Sequence, residues 1–368
     1  MNRCAGFSLP GRDSSRPLSL PAGKRRHECR RGTHECVRNV LRASISLLLC
    51  AAPVWAADAK QDARWVEDAG GAVVRDAAGR ITGVDLRASW AADADLRKLA
   101  QFPYLTYLNL SLTRVTDQGM QELKKLPGIT ELNLRYAEYV TDEGIAAIKE
   151  WKKLRKLDLH GTKASDTSLE HISGITTLES VNAGSAVMTD VGIERLIPLT
   201  NLKELTIGGN EIGDAGLQAL RQLPGLTYLD LVGRQGTDSN VWAISISDVG
   251  LDAILTLKQL RELRFGCTSI GVGIEGARFA MVSATSVTPL WLEKLKTLPR
   301  LERLTLQGCD RLGDASVATL ASFPNLVELD LKGTAVTEKG LAALRAAKPK
   351  LRIYSGAWEA RSANFRNN

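Results

Sequence analysis

Histidine, cysteine and aromatic side chains are scarce in this chain, and each shortage excludes a class of function. Its 368 residues include four histidines and six cysteines, and aromatics make up 5%. His27, His34, Cys4, Cys29, Cys36 and Cys50 all lie before residue 58, so only His160, His171, Cys267 and Cys309 belong to the body of the chain. These four form no CxxC and no Cys/His cluster, and neither a structural metal site nor a disulfide scaffold is expected. A glycine-rich phosphate loop is also missing, and no cofactor is expected. With few aromatics in a chain that is 44% hydrophobic, the core has to be built from Leu, Ile, Val and Ala.

A surplus of one charge sign is also missing once charge is mapped along the chain. The formal charge is +7 and the isoelectric point near 9.1, which by itself suggests a nucleic-acid partner. Ten of the 48 basic residues and three of the 41 acidic ones precede residue 58, however, leaving 38 of each beyond it. A neutral body offers no general attraction to a phosphate backbone, and no nucleic-acid partner is expected.

The chain has one marked apolar run, Ala43 to Ala57, preceded by Arg38 and Arg42 and ending in Val54-Trp55-Ala56 before Asp58. A basic flank, a short apolar stretch and small residues at the end are the pattern of a secretory signal peptide. The run falls short of the roughly 20 residues that span a bilayer, so no transmembrane anchor is expected after processing. Cleavage is expected after Ala56 or Ala57, and the protein is read as periplasmic or secreted. Residues 1–36, rich in Arg, Pro and Ser and without periodicity, read as a disordered or mis-started extension. Residues 37–57 form the signal peptide.

From Ile81 onward the pattern L-x-x-L-x-L begins again at Leu105, Ile129, Leu154, Leu178, Leu202, Leu226, Leu260, Leu301, Leu326 and Leu351. Most intervals are 24 or 25 residues, a true internal repeat. Each unit reads as a strand, a turn and a helix. In the second, Leu105, Leu108 and Leu110 face inward, and Thr113 sits where it is expected to hydrogen-bond the loop of a neighbouring coil. Thr116 then caps a helix whose positive end suits Asp117. Met120, Leu123 and Leu126 form the helix's buried stripe. No such unit buries its own apolar face, so the units must stack.

Units such as LTYLNLSLTRVTDQGMQELKKLPG and LVELDLKGTAVTEKGLAALRAAKPK resemble the leucine-rich-repeat superfamily of bacteria. They are most similar to its ribonuclease-inhibitor-like and cysteine-containing branches, although Thr stands here where the latter has Cys. The resemblance covers residues 81 to about 354. It implies a right-handed α/β solenoid, or horseshoe, with a parallel β-sheet on the concave face, helices on the convex face and protein binding as its main use. On this reading residues 58–80 form an N-terminal cap hairpin and 81–350 a solenoid of ten repeats. Residues 351–368 make a C-terminal cap, with Ile353, Tyr354 and Trp358 covering the last coil, and a tail.

Alternation along each strand sends the residues between the leucines to the concave, solvent side. Tyr107, Asn109, Glu131, Asn133, Arg135, Lys156, Asp158, His160, Tyr228, Asp230 and Arg264 are therefore candidate binding residues. His160 lies two residues from Asp158, but with no Ser or Cys nucleophile beside it no catalytic residue is expected, and the chain is read as a non-enzyme. The intervals starting at Leu226 and Leu260 are 34 and 41 residues, so the strand-to-helix loops carry insertions at 232–246 and 266–287. These hold Arg234, Trp242, Arg278 and Phe279, and just beyond them Trp291 occupies a position where most repeats have Gly. The two tryptophans with nearby arginines have an interface composition and are candidate anchors, the alternative being that they plug the loops. Cys267 and Cys309 lie just after the strands of adjacent repeats, a spacing that suits a disulfide in an oxidising compartment, but they are eighth and ninth in their repeats, so two separate, diverging thiols are expected and a bridge is the alternative. The functional expectation is an extracytoplasmic protein-binding module, as adaptor, inhibitor-like partner or surface receptor. Cell-surface glycan or peptidoglycan binding is the alternative, and a structural envelope role the second alternative.

Overall fold

The computed structural model describes residues 63–236, 241–267, 269–274, 278–283 and 287–356. The segments read above as an extension and a signal peptide, together with Trp358 and the C-terminal tail, lie outside the described residues, as do parts of both insertions.

Twelve strands make one sheet. A hairpin opens it, with β1 (Ala72–Arg75) antiparallel to β2 (Ile81–Asp85), preceded by a short helix, Arg64–Asp68. Parallel neighbours follow in chain order: β3 (Tyr107–Asn109), β4 (Glu131–Asn133), β5 (Lys156–Asp158), β6 (Ser180–Asn182), β7 (Glu204–Thr206) and β8 (Tyr228–Asp230). The first insertion then forms a separate hairpin of β9 (Arg234–Gly236) and β10 (Val241–Ala243). The main sheet resumes with β11 (Glu262–Gly266), and the second insertion forms another hairpin, β12 (Ser269–Ile274) with β13 (Arg278–Ser283). Strands β14 (Arg303–Gln307), β15 (Glu328–Asp330) and β16 (Arg352–Tyr354) complete the sheet. Both inserted segments, read from sequence as loops, are thus antiparallel ribbons outside the main sheet. From β3 to β8 the register does not slip: Leu108, Leu132, Leu157, Val181, Leu205 and Leu229 pair in succession. With a side-chain period of two, that register keeps every one of these residues on the buried face.

In each repeat the chain goes on from the strand, or from its inserted ribbon, to a short helix that returns to the start of the next coil, making an α/β solenoid. The aliphatic stripes meet the strand residues in one continuous core. Leu105, Leu108, Leu110, Met120, Leu123 and Leu126 of the second coil are all buried, and Trp151 and Phe265 fill the wider gaps. Thr116, Thr141, Ser165, Thr189 and Ser247 cap their helices through side-chain oxygens.

The helices are linked from coil to coil by aspartate. Asp117, the first residue of its helix, accepts from both the N–H and the Oγ1–H of Thr141, the next coil's cap, at 2.7 Å each. Asp93 receives Thr116 in the same way, Asp142 receives Ser165, Asp166 receives Thr189 and Asp314 receives Thr337. Asp190 takes the N–H of Gly213 at 2.7 Å, and Asp214 takes Ser247. So close an approach requires a small residue on the facing helix, where Gly119, Gly144, Gly192, Gly216, Gly250 and Gly340 stand. Thr113, by contrast, donates to Leu110 O of its own coil, and Thr162 to Leu159 O. Threonine is too short to cross to the neighbour. Asn210 does cross, donating to Ala183 O and accepting from Met188 N–H.

Cys267 and Cys309 form a disulfide, with Cα atoms 4.7 Å apart, which corrects the expectation of two separate thiols. Counting positions misled because β11 and β14 stay in register to Gly266↔Gln307. Gly308, at φ +71°, then turns the chain so that Cys309 comes inward beside Cys267.

Replacing glycine by alanine inside a helix ordinarily stabilises by about 1 kcal/mol. At Gly216 the sign should reverse, since an added Cβ would sit 2.5 Å from Asp190 Oδ1 and 3.0 Å from its Cα. Gly216→Ala is expected to destabilise by ~1–3 kcal/mol, the usual effect of overpacking, read as a lowered midpoint of urea denaturation.

Candidate functional site

The exposed face of the sheet carries two rows of polar side chains from successive strands. In the first row, Tyr107, Glu131, Lys156, Ser180, Glu204, Tyr228, Glu262 and Arg303 lie in direct register. Opposite charges alternate along much of it: Lys156 pairs with Glu131 at 3.9 Å and Arg303 with Glu262 at 2.5 Å. The edge row beside it holds Arg155 and Lys203 on either side of Glu179, at 2.7 and 2.8 Å. Glu204 is the exception, an exposed carboxylate for which no ion pair is found among the described residues.

The second row is less free than alternation suggested. Asn109 Oδ1 accepts from Ser111 N–H at 3.0 Å and Asn133 Oδ1 from Arg135 N–H at 2.9 Å. Asp158 and Asp230 receive His160 N–H and Val232 N–H at 2.9 and 2.8 Å. The side chain closes the turn at the end of its strand by satisfying a backbone donor two residues on. Asn109 is consequently only 3% exposed and Asp230 6%. Both are corrected from solvent-facing contacts to turn-forming groups. Asp230 is further enclosed by Arg264 Nη1 at 2.7 Å and the Tyr228 hydroxyl at 3.1 Å, and burial pushes its carboxyl above the ordinary range.

His160 belongs to a second enclosed group that the sequence reading approached without seeing Tyr136. The Tyr136 hydroxyl lies 3.2 Å from His160 Nε2, the rings meeting edge to face. Arg135 lies over the Tyr136 ring at 5.2 Å and 3.9 Å from Asp158. His160 Nδ1 is buried with no hydrogen-bond partner found among the described residues, close to Gly184, where an added Cβ would lie 2.7 Å away. Burial, and then the Arg135 charge, depress the imidazole pKa to about 4. A neutral ring packed on both sides is poorly placed for acid–base work.

Two shallow depressions lie along the face. One of about 290 Å³ is lined by Glu131, Lys156, Ser180, Asn182, Glu204 and Tyr228 among others, and one of about 340 Å³ by Arg264, Arg303, Gln307, Asp330 and Tyr354 among others. Tyr107 and Lys156 keep their places on this face, half-buried and exposed respectively.

The insertion candidates divide. Arg234 is exposed at the start of β9, and Trp242 is half-buried in β10 opposite Gln235. Arg278 and Phe279 pair with Ile274 and Gly273 in the second ribbon, and their side chains lie outside the described residues. Trp291 is corrected from anchor to packing residue. It is 5% exposed, rests against Phe265 with ring centroids 6.2 Å apart, and donates its indole N–H to Asp248 at 3.0 Å.

A model of the family described as Leucine Rich repeat matches residues 103–124, 128–149 and 199–220, each match running from just before a strand into the following helix. The chain carries leucine-rich repeats at these positions. Curated proteins gave no match. Among solved structures it is similar to an internalin from Listeria monocytogenes, at 20% identity over 83% of this chain and 95% of that one, TM-score 0.42. Internalin C2 of the same organism is 22% identical, over 62% of this chain and 81% of that one, TM-score 0.42. A leucine-rich-repeat protein of Leptospira interrogans is 18% identical, over 70% and 85%, TM-score 0.38. Leucine-rich repeats are in general protein-interaction scaffolds without enzymatic activity. No helix among the described residues is long and apolar enough to cross a membrane.

His160 gives a pH prediction. Its folded pKa of about 4 lies below the value near 6.5 of a free imidazole, so the unfolded chain takes the proton first on acidification. Its contribution is complete above pH ~6.5 and is lost as pH falls toward ~4. His160→Gln should therefore show a smaller drop in urea midpoint between neutral and mildly acidic pH than the wild type. An unchanged drop would contradict the assignment.

Proposed function

We propose that this leucine-rich-repeat protein is an exported, non-enzymatic scaffold that holds a partner protein against the exposed face of its sheet. The observation that carries this reading is the face itself, an unbroken polar surface built from successive coils with side chains already fixed by cross-coil pairs. Groups ordered before contact lose less freedom on binding, which favours recognition by a rigid surface. The depressions are shallow and open in character, fitting a protein surface better than an enclosed small molecule. Tyr107, Glu131, Arg135, Lys156, Glu204, Tyr228 and Arg264 are the side chains offered. The enclosed, neutral His160 supports a non-enzymatic role.

Export is supported by two independent features, the signal-peptide pattern before Asp58 and the Cys267–Cys309 disulfide. Disulfides persist in oxidising compartments and are rare in the cytosol.

The mature protein is expected to begin at Ala57 or Asp58 and to be recovered from an extracytoplasmic fraction. Thiol labelling of the denatured, unreduced chain should then find neither Cys267 nor Cys309 reactive. Removing the bridge by Cys267→Ser is expected to destabilise by ~2–4 kcal/mol. For binding, a photo-crosslinking residue in place of Glu204 should trap a discrete protein in that fraction. Trapping of glycan instead, or no adduct, would refute the protein-binding reading.

A further inference from the structure

The strand-to-helix turns of the first coils carry a surface that the sheet face does not explain. Trp90 is 84% exposed, Leu112 53% and Tyr139 54%, an unusual accumulation of large apolar side chains in water. They stand on neighbouring coils: Ala88 N–H donates to Ser111 O, Leu112 N–H to Arg135 O and Tyr136 N–H to His160 O, at 2.8–2.9 Å. Lys163 N–H extends the series by donating to Val140 O, the residue after Tyr139.

The backbone at this edge is also unusual. Leu112 and Tyr136 both have φ +56°, at the turn position that Ala88 and Ser185 also fill with positive φ and where other coils use Gly161, Gly209 and Gly333. A left-handed conformation is uncommon for a side chain of this size. Here it leaves Leu112 outside the buried core, with half of its surface in solvent.

Charge selects the occupant. Arg114 and Lys163 are exposed, and no ion pair to either is found among the described residues. Arg87 has its own Asp85 at 3.2 Å, and Arg135 stands 3.9 Å from Asp158. Glu138 is an exposed acid among them, and Asp68 is another, next to Ala69, whose carbonyl accepts from Trp90 N–H. Unpaired cations interleaved with Trp, Leu and Tyr are complementary to a segment that carries carboxylates together with apolar side chains. Tryptophan, tyrosine and arginine are also the residues that most often dominate a protein interface.

We propose that the turn edge of the first four coils, centred on Trp90, Leu112, Arg114, Tyr139 and Lys163, is a docking site for an acidic, apolar segment of a partner protein. This rests on the protein-binding reading but assigns a surface separate from the sheet face.

The test is selection of short random peptides, displayed on phage, against the mature full chain. Selected peptides, made synthetically with a fluorescent label, are then titrated against wild type, Trp90→Ala, the double variant Arg114→Glu/Lys163→Glu, and the sheet-face variant Glu204→Lys. Enriched peptides should hold more Asp and Glu than Lys and Arg, together with aromatic or leucine residues, and bind more weakly as salt rises. The double variant and Trp90→Ala should each weaken binding by about tenfold at unchanged melting temperature, while Glu204→Lys leaves it unaltered. Peptides without acidic residues, or bound equally by the edge variants, would overturn the edge site. Loss of binding in Glu204→Lys alone would do so too while leaving the protein-binding reading in place. Preference for phosphatidylserine vesicles or for an oligo-dT strand would assign the edge to lipid or nucleic acid, and overturn it. Failure to enrich any peptide would count against both surfaces.

Discussion

The aspartate at the start of most of the repeat helices is the element on which the solenoid depends. Helices this short have little intrinsic stability, and each leaves its first N–H groups without intrahelical acceptors. An aspartate there faces the positive end of its own helix and also receives the cap of the next. Asp117 thereby fixes Thr141, whose hydroxyl in turn caps Glu143. Helix capping and coil stacking become one interaction. The facing glycines follow from it, as does the evenness of the coils: the next cap must fall within reach of a carboxylate. On the other side of each coil the sheet provides the matching restraint through backbone hydrogen bonds, and the aliphatic core fills the space between.

Sheet-face function has to be built from what this framework leaves available. The strand-end Asn and Asp residues are committed to turns, so recognition falls to the first row and to long side chains such as Arg135 and Arg264. Where two such commitments meet, enclosed polar groups arise. Asp230 with Tyr228 and Arg264 forms one, and His160 with Tyr136 forms the other. These groups hold the face in a fixed shape, and Glu204, for which no ion pair is found among the described residues, meets the solvent between them.

Much of the fold was legible because leucine periodicity is a local signal repeated many times. The α/β solenoid, the buried helix stripe of Met120, Leu123 and Leu126, and the capping by Thr116 follow from spacing and residue type. The second role of Asp117 was not legible, since its partner lies 24 residues away. Its trace was Gly144, an unfavourable residue inside a helix that implies something packed against it. Alternation correctly gave the direction of the strand side chains but could not show that Asn109 and Asp230 fold back onto their own turns. The disulfide was missed because position counting ignores what one left-handed glycine, Gly308, does to the path of the chain. Tyr136 escaped notice because it lies in the turn, beyond the alternating strand.

The aspartate series has one interruption, at the second insertion. Asp248 is met by the indole of Trp291 in place of a cap, and Pro289 stands where the next helix would offer a carboxylate to Gly313. At that second step, between the coils of β11 and β14, the disulfide joins the chain. In a stack where each unit couples only to its neighbours, cooperativity is as strong as its weakest junction. The covalent bond lies at the one junction where the carboxylate has been lost to proline. It lets the coils before and after the insertion behave as a single cooperative array, so that a long ribbon can interrupt the repeat without dividing the protein in two.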